Sequence, residues 1–445
     1  MTTLEPALTD RWGVAVTAGG PEARHWWNQA VGDLVAFTGD PVHAARTALD
    51  ADAGFGEARA LCAYLELYAQ TPDGIAAARR FLDEDPVPAP GPGGAGTRRD
   101  LHLQAARAWA AGDLDGAAGR LEAALLADPH DLLALRVAQD LYFFLGDGRS
   151  LRQSTARIVR RWPAGAPGSG YVQGIYSFGL EESGDYRRAE ASARAALDAD
   201  PADVWAVHSM AHIAEMEGRP DDGIADLTER APQWRSSYFA VHNWWHLGLF
   251  LIANGDYGEA VALYDGTLRA TGSGAWLDLV DAASLLWRLA LCGIDVGERA
   301  AALVELVEPI AGTGISAFND WHAAMVFGLA GREDLGRALL ASLPCAVATN
   351  ARVVHRAGRD VIEAFSSFAR GDFASAAALL FAVRPQAQVL GGSHAQRDVL
   401  DLTLLSAAAS SGDAPLLRAL GDERLESRPG QTGPLDRLIG ARRAC

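Results

Sequence analysis

The 445-residue chain contains no lysine; all 39 of its basic residues are arginine. That absence removes Schiff-base catalysis, attachment of pyridoxal phosphate and the phosphate-loop lysine. Cysteine is scarce: Cys62, Cys292, Cys345 and Cys445 lie far apart and form no Cys-x-x-Cys pair. A disulfide framework or thiolate zinc site is not expected, and a reducing, cytoplasmic setting is. The segment MTTLEPALTDRW lacks the basic stretch and apolar run of a secretory signal. No uninterrupted apolar run reaches the length of a bilayer span, so no membrane partner is expected. Acidic residues outnumber basic ones by 56 to 39, and a net charge of −17 has the wrong sign for nucleic acid or anionic lipid. Alternating β-branched residues are nearly missing, which leaves little basis for sheets.

What the chain does have is alanine, leucine and a period. GDLDGAAGRLEAALLADPHD from Gly112 and GDYRRAEASARAALDADPAD from Gly184 share one plan. Each reads Gly-Asp, a helical run with small residues and leucine at three- and four-residue spacing, then Asp-Pro. Segments from Gly39, Gly255 and Gly371 repeat it. Turn glycines are expected at Gly39, Gly74, Gly112, Gly146, Gly184, Gly218, Gly255, Gly293, Gly331, Gly371 and Gly412, with gaps of 34 to 41 residues. That period fits helix–turn–helix repeats, whose apolar faces are buried only by stacking on neighbours. The expected fold is all-α: a single α-solenoid over residues 1–445 of about eleven hairpins forming a right-handed superhelix. Asp185 is expected to cap its helix, and Pro129 and Pro201 to open theirs. Pro/Gly-rich stretches near 87–97 and 163–170 read as surface loops.

The pattern resembles the tetratricopeptide repeat and, over nearly the whole chain, the tetratricopeptide repeat protein 38 family. The strings that carry the likeness are DRWGVAVT, YVQGIYSFGLEESGDY, DVWAVHSMAHIAEMEGR, FAVHNWWHLGLF, LDLVDAASLLWRL, FNDWHAAM and GGSHAQRDV. The resemblance implies that the first helix of each hairpin lines the concave side. Counting back from each turn glycine then places residues of different repeats on one scale. His208, His212 and Glu215 lie ten, six and three residues before Gly218, and share one helical face. His242 and His246 lie thirteen and nine before Gly255, and His322 nine before Gly331. Asn243, Asp281 and Asn319 each lie twelve before their own glycine. Trp244, Trp245, Trp276, Trp287 and Trp321 are interleaved with them.

Convergent polar groups among apolar and aromatic side chains are the usual lining of a small-molecule site. The catalytic candidates are His208, His212, Glu215, His242, His246, Asp281 and His322. Asn243, Trp245, Asp278, Trp287, Asn319, Asp320 and Arg397 are candidates for ligand contact. For each alone, packing or a satisfied hydrogen bond is the commoner role; for the group, burying five imidazoles needs a reason. Three chemistries are open. His-x3-His with Glu215 suits a divalent metal such as zinc or iron, with Asp278 or Asp281 holding the far ring nitrogen. A metal-free His/carboxylate pair suits acid–base work on a small polar or aromatic molecule, as in a hydrolase, isomerase or cyclase. Ser393, His394 and Asp398 spell a nucleophilic triad, but helix neighbours do not face one another; Ser393 and Gln396 read instead as a capping box. Arg397 suits a substrate carboxylate or a pair with Asp398. The alternative to an enzyme is a scaffold that binds a peptide or partner protein in the groove.

Overall fold

A glycine before an aspartate ends one helix and starts the next. In the computed structural model, which describes residues 8–85 and 96–428, ten of the eleven expected turn glycines have left-handed φ angles between 60° and 89°. The exception is Gly74. It lies inside the helix Pro72–Asp83, where its N–H is capped by Thr71 Oγ1 at 3.2 Å. Gln70, with φ of 50°, makes that turn instead. A side-chain-bearing residue in the left-handed region costs about 1 kcal/mol or more. Gln70→Gly is therefore expected to raise the melting temperature by roughly 2–4 °C in thermal unfolding; a lower value would mean that the side chain's own contacts outweigh the strain.

Among the described residues eleven helical hairpins follow one another, from Pro21–Ala36 with Pro41–Ala51 to His394–Ser411 with Ala414–Ser427. Among the described residues there is no strand, only an isolated bridge between Thr9 and Ala15. The protein is an all-α solenoid. The helix Tyr186–Ala199 shows why these sequences form it: Ala189, Ser192, Ala193, Ala196 and Leu197 are buried at helical spacing, and its arginines face outward. Side chains of Asp40, Asp113, Asp147, Asp372 and Asp413 cap the helices that follow them. Asp185 does not; it pairs with Arg152 and Arg188 at 3.5 and 3.0 Å. Nor do Pro129 and Pro201 open helices. They sit in turns, and Asp131 and Asp203 cap the helices that begin at Leu132 and Val204. Residues 163–168 form turns, as expected, whereas residues 86–95 of the other expected loop lie outside the described residues.

By its contacts the chain divides into two units: Met1–Ser209 with Ser236–Tyr238, and Met210–Arg235 with Phe239–Cys445. The first buries Trp27, Phe55, Tyr64 and Phe178. The second is centred on Trp245, Trp287, Trp321 and Phe365. Within the second unit the chain turns back on itself. Helix His394–Ser411 lies against helix Trp276–Leu291, with Trp287 Nε1 donating to Thr403 Oγ1 at 2.9 Å and Arg288 Nη2 to the Ala395 carbonyl at 2.8 Å. Among the described residues one helical stretch, Phe373–Leu390, is long and apolar enough by length and composition to cross a membrane, contrary to the expectation that no run would reach that length. Its run of alanine, leucine and phenylalanine outweighs Arg384, which pairs with Asp401 and Glu423 at 2.8 and 2.9 Å.

Candidate functional site

Three imidazoles meet inside the second unit. His242 and His246 are one turn apart on helix Ala240–Asn254, and His212 comes from helix Val204–Met216 of the preceding hairpin. Ring nitrogens of the three lie within 4.8 Å of one another. The His212 and His246 rings are edge-on at 4.5 Å between centroids, and those of His242 and His246 at 5.0 Å. Exposure is 0% for His212 and His246 and 4% for His242, so the rings are interior groups rather than the lining of an open groove.

Carboxylates flank them. Asp281, itself 1% exposed, accepts from His242 Nδ1 with both oxygens, at 2.9 and 3.0 Å. Glu215 Oε2 approaches His246 Nδ1 to 3.4 Å. Burial pushes both carboxyls up, opposed at Asp281 by His242 and at Glu215 by Arg428 and His212. Burial also holds His246 well below its ordinary pKa, and His212 and His242 add to the effect. His246 is therefore neutral near pH 7, with a nitrogen lone pair to offer. Trp245 stacks on His242 at 5.1 Å and donates to Ser284 Oγ at 2.8 Å.

On the far side of Glu215 the polar groups continue. Arg428 Nη1 is 3.9 Å from Glu215 Oε1, and its Nη2 is 3.2 Å from Asp398 Oδ1. Asp398 also takes both terminal nitrogens of Arg424, at 3.0 and 3.3 Å. These residues form one wall of a cavity of about 680 Å³, also lined by Arg384, Arg397, Asp401 and Glu423. Four guanidinium groups face three carboxylates there. Arg288 lies deeper: burial pulls it down to about 10, while Asp398 and Glu215 oppose that shift.

No family model matches the chain. Among solved structures, the human IFIT1 dimer with m7Gppp-AAAA is similar at a TM-score of 0.37 and 13% identity, over 94% of this chain and 89% of that one.

His208 lies one turn before His212 on the same helix, and its ring packs on Trp205 at 4.7 Å and Phe178 at 5.4 Å. His322 pairs through Nδ1 with the Phe318 carbonyl of its own helix at 2.8 Å, and burial takes it down to about 3. Among the described residues the imidazole cluster does not include it. Asn243 and Asn319 are buried, and Asn319 N–H is capped by Ser316. Asp320 accepts from Gly312 N–H at 2.8 Å, and burial moves its carboxyl up to about 6. Asp278 is half-buried beside Ser273. Trp287 packs on Phe365 and Phe368 at 4.8 and 5.6 Å. Arg397 donates to the Gly391 and Gly392 carbonyls while lining the cavity, and Asp398 pairs with Arg424 and Arg428. Ser393 and Gln396 form the expected capping box. Arg288, Arg424 and Arg428 were missed. Only Arg288 had a signal, as a lone cation in the apolar run LDLVDAASLLWRLAL.

Proposed function

We propose that the second unit binds a small anionic molecule, one bearing a carboxylate or phosphate, in the arginine-lined cavity. The His/carboxylate network beside it, His212, Glu215, His242, His246 and Asp281, is the reactive centre for acid–base chemistry on that molecule. One observation carries the reading: Arg428 stands in the cavity wall and also approaches Glu215, which in turn approaches His246. The cavity is therefore separated from the imidazoles by a single carboxylate. Its volume is in the range for small-molecule sites, and guanidinium groups suit planar oxyanions. An extended peptide suits this unit less well, because the chain's own helix His394–Ser411 covers the Trp287 and Arg288 region of helix Trp276–Leu291. Kinship with the tetratricopeptide repeat protein 38 family is part of the reading, supported by strings such as FAVHNWWHLGLF and FNDWHAAM.

A thermal-shift screen of the full chain against carboxylate and phosphate metabolites tests it. At least one class is expected to raise the melting temperature, and Arg384→Ala is expected to weaken its binding about tenfold, the loss of one charge-assisted contact. Stabilisation by no anion, or one that Arg384→Ala and Arg428→Ala leave unchanged, would remove the cavity from consideration.

A further inference from the structure

We propose that His212, His242 and His246 together hold one divalent first-row transition-metal ion of the zinc(II) type. Three features of the geometry lead there. First, the donors converge: their ring nitrogens lie within 4.8 Å of one another, although they come from two helices of successive hairpins. Around a tetrahedral ion with Zn–N bonds of about 2.0–2.1 Å, ligand nitrogens are roughly 3.3 Å apart. Small ring rotations cover the difference.

Second, one ligand is already oriented. Both oxygens of Asp281 hold His242 Nδ1, at 2.9 and 3.0 Å, so Nε2 is the nitrogen that would ligate. A carboxylate behind a histidine fixes the ring and makes its other nitrogen more basic, the arrangement found behind metal-bound imidazoles. Third, the rings are interior, with exposures of 0 to 4%, and burial favours the neutral imidazole that ligates. Packing alone gives no reason to gather three such rings, since any apolar side chain would fill the volume without desolvating nitrogen.

The donor set also selects the ion. Three nitrogens exclude calcium and magnesium, which take oxygen ligands, and suit zinc, cobalt, nickel or iron(II). Glu215 Oε2 lies 3.4 Å from His246 Nδ1, where a carboxylate can orient that ring as Asp281 orients His242. Asp281 and Glu215 together balance the ion's two positive charges. Arg288, which donates to Ser284 and to the Ala395 carbonyl, opposes an added cation, so coordination through nitrogen rather than charge alone must hold it.

This inference goes beyond the anion-cavity reading and does not rest on it. The test uses the full chain, stripped with dipicolinate, and titrated with zinc(II) against a chromophoric chelator. One equivalent is expected to bind with a dissociation constant of about 1 μM or below. His212→Ala and His246→Ala are each expected to weaken it about a hundredfold. Asp281→Asn, which keeps all three donors, should weaken it about ten- to a hundredfold. Cobalt(II) in place of zinc should give the intense visible bands of a four-coordinate nitrogen site, a readout that needs no variant and survives any folding defect. Arg384→Ala should leave the metal stoichiometry at one, which separates failure of the cavity reading from failure of this one. No equivalent bound, a weak octahedral cobalt spectrum, or a stoichiometry unaltered in the His212→Ala/His246→Ala double variant overturns the site.

Discussion

Asp131→Ala is expected to destabilise the first unit by about 3 kcal/mol, the lower end of the cost of breaking a buried ion pair, because Arg98 keeps Asp10. Asp131 is 1% exposed and does three jobs. It takes Arg98 through Nε and Nη2 at 2.8 and 3.0 Å, contacts His102 Nε2 at 3.1 Å, and caps the helix from Leu132 by accepting from Ala134 N–H at 3.0 Å. Arg98 also donates to Asp10 at 2.9 Å, so one guanidinium ties the N-terminal segment to two hairpins. Burial alone would raise the Asp131 carboxyl, but Arg98 and His102 outweigh it and hold the group well below the ordinary range. A depressed folded-state pKa means that the stabilisation is complete above the unfolded value near 4 and drains away as pH falls. The variant should melt on the order of 10 °C lower at neutral pH, with the gap closing in acid. Asp131→Asn keeps the cap acceptor and should recover about 1 kcal/mol. A loss below about 1 kcal/mol for Asp131→Ala would show that water reaches Arg98 and that the network is ornamental.

That network shows where a linear reading stops. The hairpins were legible because each is local: glycine, aspartate and a run of alanine and leucine recur within some forty residues, and eleven hairpins result among the described residues. Gly74 misled because the glycine sits after a threonine cap, and the turn falls to Gln70, which carries no turn signature. The shared face of His212 and Glu215, and that of His242 and His246, was also local, since helical spacing fixes it. Counting from turn glycines set Asp281 level with Asn243, next to His242, and the Asp281 and His242 side chains do meet, because adjacent hairpins stack in step. The same count put His322 level with His246, yet its ring pairs with Phe318 in its own helix. Nothing local encodes the return of helix His394–Ser411 onto helix Trp276–Leu291, residues more than a hundred positions apart. Burial of the imidazoles, and the company of Arg288, Arg424 and Arg428, depend on long-range packing and were not readable.

The cavity wall makes the second large prediction: Asp398→Ala should cost the second unit about 3 kcal/mol. Asp398 is the common acceptor for Arg424 and Arg428, and its side chain is 9% exposed. Burial works to raise its carboxyl, but Arg424 and Arg428, with Arg288 behind them, hold it well below the ordinary range. Two guanidiniums lose this shared acceptor in the variant, although Arg428 keeps Glu215 at 3.9 Å; in a sealed site breaking such pairs costs about 3–5 kcal/mol. Here the cavity admits water to Arg424 and Arg428, with side-chain exposures of 12 and 10%, so the lower end applies. The sign of the pH dependence follows from the depressed pKa. The wild type keeps this stabilisation above about pH 4 and loses it below, whereas the variant has none to lose. Melting curves from pH 7 to pH 3 should therefore converge in acid. In the double variant Asp398→Ala/Arg424→Met, one of the two cations that lost Asp398 is gone and part of the loss should return, a coupling of about 1 kcal/mol or more. Parallel pH profiles for wild type and Asp398→Ala, or strictly additive losses in the double variant, would mean that Asp398 is solvated and that the wall between cavity and Glu215 is held by something else.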